Sequence, residues 1–309
     1  MKNIIIAFLV VAVIGIGAYY FLSTKTPDTV VNTVTNTEEA DTTGTITSNT
    51  TPQATTTPTI VDTTKTVIGT SVNKNAITAY HFGEGSDELL FVGGIHGGYE
   101  WNTALVAYQL MDYLKANPSA IPRNMKITVI PVLNPDGLSK VVGTTSRFLP
   151  KDVSALKNTL IAGRFNGNTV DLNRNFDCDW KPQGVWQEKT VSGGSAVFSE
   201  PESQAIKKYV EAKKPTAVVV WFSAAGGVFA SNCYNGVSKE TTAMTKKFAE
   251  ASGYPAYESF DFYATNGDIT NWLAKNNIPA ISVILTNHSD TEWAKNKAGV
   301  EALFKHFTK

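Results

Sequence analysis

The sequence predicts an α/β domain, one β-sheet covered by helices, over residues 65–309. Three observations carry that expectation. Short apolar runs rich in β-branched residues, such as Leu89 to Val92 and Thr216 to Phe222, alternate with stretches in which apolar residues recur at helical spacing, such as Trp101 to Ala116. Hydrophobic residues make up 42% of the chain, enough for an ordinary buried core. Neither an internal repeat nor a second composition break divides the region, so alternating strands and helices are expected to pack as layers around a single sheet.

Taken in order, Thr66 to Val72 and Ala76 to Phe82 read as an edge hairpin turning at Asn73-Lys74-Asn75. Glu88 to Gly94 follows as a buried strand. Trp101 to Ala116 is a helix that offers Leu105, Tyr108, Leu110, Met111 and Leu114 to the core. Met125 to Leu133 is a strand ended by Asn134-Pro135-Asp136-Gly137, read as a turn. Residues Leu138 to Asn168 lack a clear period and predict long loops with one short helix. Ser199-Glu200-Pro201-Glu202 matches a capping box, with Ser199 starting a helix that runs to Lys213. After the strand Thr216 to Phe222, the pattern predicts a helix at Lys239 to Ala251, a strand at Ser259 to Tyr263 and a helix at Asp268 to Lys275. A strand at Ala280 to Leu285 and a helix at Thr291 to Phe307 complete it.

The amino-terminal part is of another kind. Residues Ile4 to Leu22 form an uncharged apolar run of nineteen, long enough to cross a bilayer core as a helix. Residues 1–22 are read as an uncleaved membrane anchor that leaves the domain outside the cytoplasm. A cleaved export signal is the alternative, with Gly15-Ile16-Gly17 as a weak small-x-small site. Residues 23–64, rich in Thr, Ser, Asn and Pro, hold too little apolar surface to offset the entropy of ordering and read as a disordered linker. Lys plus Arg and Asp plus Glu both number 27, which argues against a nucleic-acid partner. Cys178 and Cys233 allow one disulfide, which an exported location permits.

The chemistry gathers in two stretches. In Gly93-Gly94-Ile95-His96-Gly97-Gly98-Tyr99-Glu100, an imidazole and a carboxylate stand where a strand gives way to a helix, which reads as half of a zinc site. In Val170-Asp171-Leu172-Asn173-Arg174-Asn175-Phe176, a cationic fork stands beside an amide, equipment suited to gripping a carboxylate. With Asn134 to Gly137 and Tyr263 to Trp272, these segments occur in the order found in zinc metallocarboxypeptidases of the carboxypeptidase A type, notably bacterial members acting on cell-wall peptides. Residues Thr66 to Lys309 resemble that family. The resemblance implies a mixed sheet with helices on both faces and a zinc held by His96, Glu100 and a third ligand. It implies a peptide carboxylate on Asn173 and Arg174, an oxyanion stabilised by Arg164 and a substrate capped by Tyr263. Asp171 is expected to orient its loop rather than react. Each residue has a plainer alternative: Glu100 can serve the helix dipole, and each arginine can pair with Asp171 or Asp179.

The sequence departs from the pattern at three places. Three residues rather than two separate His96 from Glu100. Phe222 stands where the third ligand belongs, and Ile284 where a glutamate base belongs; phenylalanine has no lone pair to give a metal, and isoleucine cannot take a proton from water. The expectation is a domain that recognises the C-terminal carboxylate of peptides, possibly cell-wall stem peptides, with hydrolysis impaired or absent and zinc binding in question. The alternatives are an active zinc peptidase that recruits a substitute such as His288, and a structural surface protein that binds nothing in the cleft. Thr270, expected near the pocket floor, argues against selection of lysine side chains.

Overall fold

The computed structural model describes residues 64–308. The expected anchor, residues 1–22, and all but the last residue of the expected linker, residues 23–64, lie outside the described residues. Among the described residues, no helix is long and apolar enough to cross a membrane.

Eight strands build the main sheet: β1 (Lys65–Thr70), β2 (Ala76–Phe82), β3 (Asp87–Val92), β4 (Met125–Ile130), β7 (Ala217–Ser223), β8 (Gly227–Ala230), β9 (Ala256–Tyr257) and β10 (Ala280–Leu285). Their order is β1-β2-β4-β3-β7-β10-β8-β9. The central four, β4, β3, β7 and β10, run parallel, while β2 and β8 join antiparallel on either side. The sheet is therefore mixed. β7 is buried along its whole length, as its unbroken apolar run requires of a strand covered on both faces. Two hydrophobic clusters separate the faces. One holds Phe91, Val219, Trp221 and Val283 with Leu110, Met244 and Phe304 from helices; the other holds Leu90, Val92, Val220, Phe222 and Ile284 with Ile206 and Leu273.

The helices are α1 (Trp101–Ala116), α2 (Pro135–Val142), α3 (Lys157–Ala162), α4 (Pro201–Lys213), α5 (Lys239–Ser252), α6 (Ile269–Lys275) and α7 (Trp293–Phe307). A separate two-stranded hairpin pairs β5 (Gln183–Trp186) with β6 (Lys189–Ser192). The elements expected from the sequence do not include that hairpin, β8 or β9.

Three expectations need correction. Asn134 to Gly137, read as a turn that ends a strand, is the start of α2: Asn134 Oδ1 accepts from the Gly137 amide at 2.8 Å, and Pro135 opens the helix. The same residue types serve as cap and first helical position, because proline lacks the amide that would go unpaired there. Ser199 does not cap α4. The helix begins at Pro201, and the Ser199 hydroxyl instead donates to Glu200 Oε1 at 2.8 Å and accepts from Asn175 Nδ2 at 3.0 Å. The strand expected at Ser259 to Tyr263 is absent, since β9 ends at Tyr257. Beyond it Phe260 packs on Phe229, Phe262 and Tyr263, at 5.4, 5.1 and 4.9 Å between ring centres, a clustering that two-residue alternation does not give.

Candidate functional site

Parallel strands send their carboxyl ends to one edge of the sheet, and in open α/β sheets that edge is where ligands bind. Here the edge collects the segment after β3, the end of β7 and the end of β10 around a cleft of about 350 Å³. His96, Glu100, Arg164, Asn173, Arg174, Phe222, Tyr263, Thr270, Ile284 and His288 all line it. The structure thus brings together every residue singled out for ligand contact or for a lost role.

The segment from β3 to α1 makes consecutive tight turns, with Gly97 N–H donating to Gly94 O and Tyr99 N–H to His96 O, both at 3.1 Å. Gly94 and Gly97 adopt left-handed backbone conformations. A Cβ on Gly97 would stand 2.5 Å from Gly163 O, so only glycine allows this loop to approach the neighbouring one. The turns absorb the extra residue: His96 Nδ1 lies 2.9 Å from Glu100 Oε1. Glu100 flanks the amino end of α1 but makes no capping hydrogen bond, and its carboxylate turns to His96 and Arg164.

Asp171, fully buried, organises the side chains behind the cleft. Its carboxylate accepts from Arg164 Nε at 2.9 Å and faces Arg164 Nη2 at 2.8 Å, while its other oxygen lies 3.3 Å from His96 Nε2. Burial would raise its pKa, but Arg164, with His96 and Arg174, holds it well below the usual carboxylate range. Asp171 is therefore ionised and buried between the Arg164 guanidinium and the His96 ring. Burial and Arg164 press the His96 pKa down, yet Glu100 and Asp171 outweigh them and leave it raised. Arg164, 1% exposed, also lies under the Trp186 ring at 4.5 Å. The plainer alternative holds in part: Arg164 does pair with Asp171, but in the interior rather than on the surface, while Arg174, also 1% exposed, donates to backbone carbonyls and Asp179 faces Lys181.

Arg174 sits in the 3₁₀ turn Leu172–Arg174. Two of its N–H groups donate to Asn173 O at 2.8 Å and Val185 O at 2.7 Å, and Tyr263 lies over it at 5.8 Å. Its Nε is buried without a hydrogen-bond partner among the described residues. The β5–β6 hairpin supplies both Val185 and Trp186, so an element missed in the sequence holds the two arginines in place; the strand-forming pairs Val185-Trp186 and Thr190-Val191 are its signal. Asn173 is fixed by Asp268, which accepts from its Nδ2 at 2.8 Å, and by the Ile269 amide, which donates to its Oδ1 at 3.0 Å. Cys178 and Cys233 form a disulfide that ties the segment after this turn to the loop after β8.

A family profile described as zinc carboxypeptidase matches residues 52–296. The chain belongs to the zinc carboxypeptidase family. Carboxypeptidase O of Bos taurus is 29% identical over 172 residues, 51% of this chain and 44% of that protein. Bacteriocin BCN5 of Clostridium perfringens is 30% identical over 161 residues, 51% of this chain and 16% of that protein. The chain thus spans less than half the length of these curated relatives. Among solved structures, the murein-tripeptide amidase MpaA of Escherichia coli O157 has a TM-score of 0.54 at 19% identity, covering 79% of this chain and 93% of that one. Carboxypeptidase A of Helicoverpa armigera gives 0.61 at 17%, covering 78% and 66%. These likenesses show the fold.

Zinc carboxypeptidases take their name from a metal, and the donors present here can be tested against it. Catalytic zinc keeps three protein ligands and one open position. His96 and Glu100 converge, and Asp171 behind His96 Nε2 is the carboxylate partner that ligating histidines usually have. The third side is closed by the Phe222 ring, 5.6 Å from the His96 ring, and Phe222 is the direct cross-strand neighbour of Ile284. Among the described residues, no group of three or more His, Cys, Asp or Glu side chains is placed to hold a metal ion. The residues do not fit a three-ligand zinc site.

Proposed function

We propose that this zinc carboxypeptidase family domain binds the C-terminal carboxylate of peptides and hydrolyses them poorly or not at all. The observation that carries the reading is the asymmetry of the cleft. On one side stand Arg164, Arg174 and the fixed Asn173; on the other, Phe222 and Ile284 pair across two parallel strands at the positions from which a ligand and a base would act. Arg174 retains N–H groups beyond the two spent on carbonyls, its buried Nε among them. A buried guanidinium with donors to spare is suited to an incoming carboxylate, which it can meet with two parallel hydrogen bonds.

An apolar pair in place of ligand and base removes the groups that would activate water. The loss of a general base alone lowers a rate by roughly 10² to 10⁴. Tyr263, half-buried above Arg174, is placed to cover a bound carboxylate and exclude water from it. Cell-wall stem peptides are the first ligands to try, since murein-tripeptide amidase shares the fold.

The test is calorimetric titration of a peptide with a free C-terminus, and of its C-terminal amide, in the presence of a metal chelator. The free acid should bind at least tenfold more tightly, and Arg174→Ala should remove the difference. Equal affinity for acid and amide would overturn the reading.

A further inference from the structure

Beside the arginines, the cleft wall holds a histidine whose protonation pattern is fixed by its surroundings. Asn102, fully buried in the first turn of α1, donates both of its side-chain N–H groups, to Asn287 O at 2.7 Å and Asp290 O at 2.9 Å. An amide turned the other way would set its oxygen against two carbonyl oxygens, so the orientation is determined. Asn102 Oδ1 therefore faces Ser223 Oγ, 3.1 Å away, and can only accept. The single hydroxyl proton of Ser223 goes to that oxygen. Ser223 Oγ also lies 2.8 Å from His288 Nδ1. With its proton already placed, the hydroxyl must accept there, and His288 Nδ1 must carry the proton. A neutral imidazole protonated at Nδ1 is bare at Nε2.

His288 Nε2 has no hydrogen-bond partner among the described residues, and the ring, packed edge-on against Tyr99 at 4.7 Å, lines the cleft with Arg174 and Ile284. We infer that His288 is a hydrogen-bond acceptor in this cleft, reading an N–H group of the bound ligand through Nε2. The inference rests on the carboxylate-binding reading and narrows its ligand to an acylated amino acid or peptide, which carries an amide N–H close to its terminal carboxylate. Burial, with Arg164 and His96, lowers the His288 pKa and outweighs the opposing influence of Glu100, which keeps the ring neutral.

Two measurements test this. Nitrogen-15 spectra of the histidine side chains in the free protein should show His288 protonated at Nδ1 and bare at Nε2, a preference that Ser223→Ala should erase. The opposite tautomer in the unaltered protein overturns the inference. The second compares two probes that differ in one atom group, N-benzoylglycyl-phenylalanine and its ester analogue N-benzoylglycyl-phenyllactate, in which oxygen replaces the N–H. The unaltered protein should prefer the amide by roughly three- to tenfold, as one neutral hydrogen bond gives, and His288→Phe should bind both equally. Discrimination that survives in His288→Phe, or is absent from the unaltered protein, overturns the inference. Arg174→Ala separates the two readings: loss of affinity for both probes there, with no discrimination in the unaltered protein, would leave carboxylate binding standing and remove the histidine's part.

Discussion

At the scale of single residues, the cleft is decided by which side chains carry charge and which carry none. Asp171 lies between Arg164 and His96 with no exposure, so its removal leaves buried positive charge without a partner. Asp171→Asn should cost about 3–5 kcal/mol, the usual cost of breaking a buried ion pair from one side, and urea denaturation would measure it. An unchanged midpoint would mean that water reaches Arg164. Phe222 and Ile284 face each other in register, so restoring Phe222→His and Ile284→Glu changes one patch rather than two independent sites. The double variant should acquire chelator-sensitive zinc binding, read by calorimetry, and peptide hydrolysis well above any that the unaltered protein shows. His96, Glu100, Asn173 and Arg174 were all legible in the sequence, because short motifs carry them. Trp186, Asp268 and Asn102 were not. Their contributions depend on contacts across 22, 95 and 121 positions, and nothing local marks them.

At the scale of elements, the strands and longer helices follow their apolar periodicity closely, while the misread segments are those where side chains bond outside the element. Asn134 offers one case: its Oδ1 caps α2, while its Nδ2 donates to Arg164 O at 3.2 Å. Asn134→Ala should cost about 1–2 kcal/mol as a lost cap and disturb the backbone that presents Arg164. Ser199 offers the converse, a residue with the capping pattern that is drawn instead to Asn175 and Glu200. The entry to α7 gives a pH dependence. Burial pushes the Glu292 carboxyl up, but Lys295, the Thr286 amide and hydroxyl, and Tyr254 prevail and hold it at about 2 against an ordinary value of 4.5. Because the folded value is the lower one, the stabilisation is complete above pH 4.5 and fades as pH falls toward 2. Glu292→Gln should therefore be less stable than the unaltered protein at pH 6 and close to it at pH 2, in urea titrations at the two pH values. A gap that widens on acidification would contradict this.

At the scale of the whole molecule, four parallel strands between antiparallel neighbours place the ends of β3, β7 and β10 together, and the site follows from that placement. The α/β class and single sheet were legible because the alternation of periods runs through the domain. The strand order was not, since it depends on pairings such as β3 with β7 across more than a hundred residues. The Cys178–Cys233 disulfide closes 55 residues between two loops near the cleft. Its removal should cost about 2–4 kcal/mol, seen as a lower melting temperature under reducing conditions. We propose that the family fold is kept here without a third zinc donor at Phe222 or a base at Ile284. Zinc titration of the metal-free protein by calorimetry tests it most directly. No tight, one-to-one binding is expected; a single zinc per chain held at high affinity would overturn that proposal and restore the case for a working peptidase.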